Sequence, residues 1–299
     1  YINALIKEME LRKGYIGNEA LETIYFGGGT PSQLDEKDFG KIFEAIYRLF
    51  DVAEQAEITL EANPDDMKRE YVSLLRNYPF NRVSMGVQSF HPEDLRFLNR
   101  RHDREQAIKA VELCKEYGIT NISIDLIYGL PNQTKQAWEE NLRQAIRLDV
   151  PHLSAYHLIY EEGTARPGFF SKHNSSYWTG KKYLGLGPSA HSYNGIDREW
   201  NPSSLPIYIE GIENGHPTIE SEDLDLCTRY NDFIITGLRT MWGVSFADIQ
   251  TKFGRKLLSY CQKQAQPHIN QGLLLQTGDK LILSKSGIFV SDGIMSDLL

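Results

Sequence analysis

Five short apolar runs each stop at a polar residue, at intervals of roughly thirty residues. Thr23-Ile24-Tyr25-Phe26 stops at Gly27-Gly28-Gly29-Thr30-Pro31, and Ile58-Thr59-Leu60 at Glu61. Val83-Ser84-Met85-Gly86-Val87 stops at Gln88, Ile122-Ser123-Ile124 at Asp125, and Leu153-Ser154-Ala155-Tyr156 at His157. A βαβ unit needs about 30 residues or more, so the spacing predicts a strand–helix repeat. The runs read as mostly apolar rather than strictly alternating, as parallel strands buried on both faces do. In a barrel of such units the strand C-termini share one face, and that face carries the chemistry. Thr30, Glu61, Gln88, Asp125 and His157 are therefore expected to converge.

Helices are expected between the runs. Residues 1–14 carry an apolar stripe (Ile2, Leu5, Met9, Leu11), and 36–50 another (Phe39, Phe43, Ile46, Phe50) behind Asp35 as N-cap. Asp65-Asp66 should open a helix running to about Tyr78, since acidic residues suit its positive end. Further helices are expected from His91-Pro92-Glu93, over 103–117 with Gly118 just past the end, and over 134–148. After Tyr160 the period is lost, and the Ser-, Asn-, Gly- and aromatic-rich stretch 171–206 reads as structured loops. Beyond Leu224 the chain predicts a helix over 228–241, a short one at 246–249 and a longer one over 255–271. A hairpin follows around Thr277-Gly278-Asp279, so the end of the chain reads as a winged helix.

Composition narrows the class. Of 299 residues, 41% are hydrophobic and 24% charged, ordinary for a globular protein. A net charge of −8 argues against a nucleic-acid footprint. No apolar run approaches the roughly 18 residues of a membrane helix, and no signal peptide is visible. Cys114, Cys227 and Cys261 are scattered, which fits a reducing, cytoplasmic setting and no disulfide framework. The first residue is Tyr1 rather than Met, so further residues are expected upstream. The sequence does not fix the oligomeric state.

The candidate chemistry sits at the strand ends. Three glycines at Gly27–Gly29 let the backbone approach a ligand and leave N–H groups free to hold it. No Gly-Lys-Ser/Thr follows, so this is not a P-loop, and Ser32 stands where a dinucleotide fingerprint needs its third glycine. Ligand binding and a tight turn both remain open for it. Asp125 interrupts a buried apolar run, where an unpaired charge is costly, and this favours functional use. Glu61 reads either as an acceptor for a ribose or ammonium group or as a salt-bridging residue. Gln88 and Arg100 suit a bound carboxylate, although Arg100 reads equally as a surface helix arginine. His157, His173 and His191 lie among aromatics, which suits either a flat macrocycle such as haem or a packed aromatic turn.

Taken together, Gly27 to Pro31, Leu60-Glu61-Ala62-Asn63-Pro64, Ser84 to Phe90, Asn99-Arg100 and Ile124 to Pro131 resemble the HemN/HemW family of radical S-adenosylmethionine (SAM) proteins. The resemblance implies an α/β fold, a partial (β/α)6 TIM-like barrel with a C-terminal helical or winged-helix-like domain. It implies a barrel over 1–165, a connecting region over 166–223 and a C-terminal domain over 224–299. It also implies a [4Fe–4S] cluster and SAM as cofactors. By matching position Gly27, Gly28, Gly29 and Thr30 lie against the methionine end of SAM. Glu61, Gln88, Arg100 and Asp125 take its ribose, carboxylate or ammonium, or those of a second SAM, and Ile127 lines the same pocket.

The family has two branches. One is the oxygen-independent coproporphyrinogen III oxidase, which acts on a porphyrinogen. The other, HemW, binds haem and hands it to haemoproteins. His173-Asn174-x-x-Tyr177-Trp178 is similar to the HNxxYW motif of the HemW branch, which implies His173 as a haem ligand. Asn231-Asp232-Phe233 through Arg239 is similar to that branch too. The resemblance thus favours haem transfer to a recipient haemoprotein, with the oxidase as alternative. Two features depart from the family. Its Cys-x3-Cys-x2-Cys motif, which precedes the first helix, is missing here, so the cluster ligands are expected outside these residues. The stretch 161–168 is short, so a sixth strand is expected to be missing.

Overall fold

The computed structural model describes residues 1–156 and 171–299. The expectations for His157 and for 161–168 lie outside the described residues. Two compact units are present: residues 18–173, and residues 3–17 together with 174–299. Helix α1 (Ile2–Arg12) belongs to the latter.

The unit of residues 18–173 is built on five parallel strands, β1 (Leu21–Phe26), β2 (Val52–Ala62), β3 (Arg82–Gln88), β4 (Asn121–Ile127) and β5 (His152–Tyr156). They pair in sequence order, so each crossover returns to the neighbouring position. The crossovers carry α2 (Glu36–Leu49), α3 (Arg69–Leu75), α4 (Pro92–Phe97), α5 (Arg104–Glu116) and α6 (Lys135–Arg147). Local signals explain their limits. Asp35 and Asp103 each form a capping box three residues into their helix, and Thr134 caps α6. Gly118 follows α5 with φ +82°, a conformation that stops a helix without strain.

Two expectations for this unit are corrected. The strands are buried on both faces as expected, with Thr59, Arg82, Ser84 and Ser123 among the buried polar residues, yet they alternate. Glu57, Thr59 and Glu61 on β2 interleave with Ile58, Leu60 and Ala62, and Arg82 and Ser84 on β3 with Val83, Met85 and Val87. Asn121, Ser123 and Asp125 do the same on β4 against Ile122, Ile124 and Leu126. In register, Thr59 pairs Arg82 and Arg82 pairs Asn121, while Glu61 pairs Ser84 and Ser84 pairs Ser123. One face of the sheet is therefore apolar and the other polar. The apolar residues are buried with Phe39, Ile42 and Phe43 of α2, and Phe26, Phe39, Phe43 and Phe80 stack edge-on or tilted. Each such side chain contributes roughly 1.5–3 kcal/mol by leaving water, so this layer holds the unit together. The second correction concerns Asp65-Asp66. They sit in a 3-10 turn, Pro64–Asp66, and the helix begins only at Arg69. Asp66 is drawn elsewhere, accepting from the Ser32 hydroxyl (2.6 Å) and from Gln33 (3.2 Å).

Residues 171–206, expected as loops, carry regular structure. Helix α7 spans Lys172–Trp178, and β6 (His191–Tyr193), β7 (Asp197–Trp200) and β8 (Glu220–Asp223) form an antiparallel sheet. These strands are too short to show a period. Helix α8 (Leu205–Glu213) supplies Tyr208. In this unit Glu8 of α1 is fully buried. Its carboxylate accepts from the Gly187 N–H (2.8 Å), the Asn201 amide (2.6 Å) and the Tyr208 hydroxyl (2.7 Å), and Arg12 lies at 3.3 Å.

The C-terminal part packs α9 (Leu226–Leu238), α10 (Phe246–Asn270) and, beyond the short α11 (Lys285–Ile288), α12 (Ser291–Leu298). Their common core contains Ile234, Leu238, Ile249 and Leu298. Helix α10 joins the two helices expected at 246–249 and 255–271. It is broken at Gly254, where φ is +84°. The hairpin β10 (Leu274–Thr277) and β11 (Lys280–Leu283) adds β9 (Val244–Ser245) as a third strand, the wing expected from sequence.

Candidate functional site

The C-terminal ends of β1 to β4 surround a cleft of about 180 Å³. Its lining includes Thr30, Glu61, Asn63, Gln88, Arg100 and Asp125. The strand-end residues Thr30, Glu61, Gln88 and Asp125 thus come together.

The glycine loop is tied to Glu61. The Tyr25 hydroxyl donates to Glu61 Oε1 at 2.5 Å, and the Gly28 N–H donates to Oε2 at 3.1 Å. Gly27 has to be glycine because a Cβ there would collide with the Tyr25 ring and press on the Glu61 carboxyl. Gly28 and Gly29 have φ of +72° and +58°, where a side chain is strained, and the space above them is open. Gly29 lines the cleft, while Gly27 and Gly28 reach it through Glu61.

On β3 the register to β4 shifts between Met85 and Gln88, and Gln88 itself has φ +67°. Such an irregularity re-aims a side chain and ends the pairing, and non-glycine residues in this region mark stored strain. Arg100 follows Asn99, which has φ +51° and turns the chain back after α4. Its Nη2 donates to Asn63 Oδ1 (2.6 Å) and to the Gly86 carbonyl (2.9 Å). A Cβ on Gly86 would crowd Gln88 and Arg100, so that position has to stay small.

Asp125 Oδ1 is buried with no partner. Burial raises its pKa to about 6, the charge of Glu61 adds to this, and Ser154 and Arg82 oppose it. Ile127 ends β4, two residues beyond Asp125. Its carbonyl accepts from Gln133 (3.3 Å), and it lies outside the cleft lining.

His173 is placed differently. Glu57 of β2 caps the start of α7, accepting from the Ser171 hydroxyl (3.1 Å) and from the N–H groups of Lys172 (3.0 Å) and His173 (3.1 Å). The His173 ring stacks on Tyr25 with centroids 4.4 Å apart, and its Nδ1 lies 3.0 Å from Thr23 Oγ1. Burial lowers its pKa to about 4, against the pull of Glu57. His152, whose Nδ1 accepts from Arg82 (2.9 Å), is lowered to about 4 by burial first and the Arg82 charge second.

Both rings are neutral in the folded unit and titrate near 6.5 once unfolded. Their stabilisation is present above pH 6.5 and is lost as pH falls through 4. Urea midpoints should therefore decline between pH 6.5 and 4, and His152→Asn should make that decline shallower. Curves for parent and variant that run parallel would refute it.

Sequence reasoning passed over Tyr25, Asn63, Ser84, Gly86 and Arg82. The polar–apolar alternation was the signal for Tyr25, Ser84 and Arg82, which share the polar face with Glu61. Asn63 and Gly86 lie inside the motifs that carry the family resemblance, but nothing in the sequence gave either a role of its own.

Residues 5–145 match the family model of the radical SAM superfamily, and residues 224–290 that of the HemN C-terminal domain. The heme chaperone HemW of Bacillus subtilis is 29% identical, with all of this chain and 91% of that protein covered. The HemW of Lactococcus lactis is also 29% identical, over all of this chain and 89% of the relative. The chain is thus similar over its whole length to the HemN/HemW family of radical SAM proteins. Its fold matches that of the Escherichia coli coproporphyrinogen III oxidase HemN, with a TM-score of 0.83 at 22% identity, over all of this chain and 82% of the other.

The family implies SAM and a [4Fe–4S] cluster. The cleft fits SAM: it offers an orphaned buried carboxylate oxygen on Asp125, a second carboxylate on Glu61, a guanidinium on Arg100 and an open glycine cradle. The described residues do not fit the cluster. Cys114 and Cys261 are buried, Cys227 is exposed, and no group of three metal-ligating side chains occurs among the described residues. No helix among them is long and apolar enough to cross a membrane.

Proposed function

We propose that this protein binds haem and delivers it to a recipient haemoprotein in the cytoplasm, with SAM held in the cleft at the ends of β1 to β4. The observation that carries this reading is the placement of His173. The HNxxYW stretch supplies it, Glu57 anchors its helix, and Thr23 engages Nδ1. Histidines that ligate metals have their second ring nitrogen hydrogen-bonded in this way. Burial also keeps the ring neutral, the form that binds iron. The HemW name of the two bacterial relatives supports the same reading.

In the cleft, Glu61 and Asp125 supply acceptors for ribose hydroxyls or the ammonium, and Arg100 faces the methionine carboxylate. Gly28 and Gly29 let the backbone pass close by. Radical SAM proteins use the bound cofactor as a source of one-electron chemistry. Here the chain's own task at the cleft is binding and orientation.

Haem titration followed by the Soret band tests the proposal. The parent is expected to bind one haem, and His173→Ala to lose at least tenfold in affinity. A variant that titrates like the parent removes His173 as the ligand.

A further inference from the structure

One side chain touches both halves of the site. Tyr25 offers the flat of its ring to His173 (4.4 Å between centroids, 11° between planes) and its hydroxyl to Glu61 (2.5 Å). Glu61 passes the contact on to the Gly28 N–H at 3.1 Å. Glycine at position 27 makes room for the ring, since a methyl group there would strike it. Glu57 holds the other end, fixing the backbone of His173 at the start of α7. Burial and the Glu61 charge keep the Tyr25 phenol protonated, so it remains a donor.

We propose that Tyr25 is a positioning residue that couples the His173 ring to the Glu61 cleft, so that a ligand on His173 weakens SAM binding and SAM weakens the ligand on His173. The coupling to haem rests on the haem reading above. The physical reason is pre-organisation. A carboxylate has about four acceptor sites, and Tyr25 and Gly28 use two of them. They hold the remaining lone pairs of Glu61 in one direction. Iron would bond in the plane of the imidazole, at the ring nitrogen that Thr23 leaves free, so the macrocycle would stand across that plane, beside the edge of the stacked Tyr25 ring, and one of the two rings has to turn to admit it. Turning Tyr25 releases Glu61 and loosens the Gly27–Gly28 loop. Linkage requires the effect to be equal in both directions.

The test is a double-mutant cycle on the full-length protein, read as the dissociation constant for SAM by equilibrium dialysis. Tyr25→Phe keeps the ring stack and removes only the hydroxyl, and His173→Ala removes the stack. Each is expected to weaken SAM binding several-fold, and the double variant to be no weaker than Tyr25→Phe alone. His173→Phe restores an aromatic face and should bind SAM like the parent while haem binding is lost. Multiplying effects in the double variant, or unchanged SAM affinity in His173→Ala, would overturn the relay.

The haem arm follows. Saturating haem should weaken SAM binding by fivefold or more in the parent, within the usual range of coupling, and leave Tyr25→Phe unaffected. Haem that binds the parent without changing SAM affinity, or that strengthens it, overturns the linkage. A parent that takes up no haem refutes the proposed function instead, and the SAM cycle still decides whether Tyr25 couples the two side chains.

Discussion

Glu8→Ala is expected to destabilise the unit that holds α1 by about 3–5 kcal/mol, the usual cost of breaking a buried ionic network. Glu8 is fully buried and is the shared acceptor for Gly187, Asn201 and Tyr208. Alanine takes the shared acceptor from the Gly187 N–H and the Tyr208 hydroxyl, and leaves the Asn201 amide only the Gly187 carbonyl (2.8 Å). It also removes one of the two carboxylates at Arg12, which keeps Glu199 at 2.7 Å. Glu8→Gln retains one acceptor oxygen and should cost less, because part of the network survives. Urea unfolding followed by the tryptophans of this unit measures the difference. A loss below about 1 kcal/mol for the alanine variant would mean that the donors find other partners.

Asp125→Asn is expected to weaken SAM binding by roughly 10- to 100-fold while making the protein more stable. The buried Oδ1 has no partner of its own, so a ligand donor gains a charged acceptor there. Hydrogen bonds to charged groups contribute roughly 1.5–3 kcal/mol. The stability effect has the opposite sign. A carboxyl raised from 3.8 to about 6 favours the folded state at low pH and loses that contribution as pH rises through 6. Above pH 6 the ionised group costs up to about 3 kcal/mol, which asparagine relieves. SAM affinity should fall as pH drops through 6 in the parent and stay flat in the variant. A variant with parental SAM affinity and parental stability would show that Asp125 neither meets the ligand nor carries a buried charge.

The β-α repeat could be read because the apolar residues of the strands recur at intervals of roughly thirty residues, with Glu61 and Asp125 marking the polar face near the strand ends. Caps such as Asp35, Asp103 and Thr134 were legible for the same local reason. Asp65-Asp66 misled, because Ser32 and Gln33 compete for Asp66 across the sheet end, and helix propensity loses to that tertiary contact. The strands β6 to β8 were hidden by their three- or four-residue length. At the site, the single-residue positions at strand ends were visible. Tyr25 was not, because its importance lies in two contacts, with His173 and Glu61, that are distant in sequence.

The strict alternation of β2, β3 and β4 also bears on how this family can change. Packing energy resides in Ile58, Val83, Met85 and Ile124, and chemistry in Glu61, Ser84, Arg100 and Asp125, which lie on the other face or beyond the strand ends. Selection can rewrite the second set one residue at a time without opening a cavity in the first. A scaffold organised in this way can acquire a new ligand while keeping its fold, and relatives with quite different tasks can share one backbone.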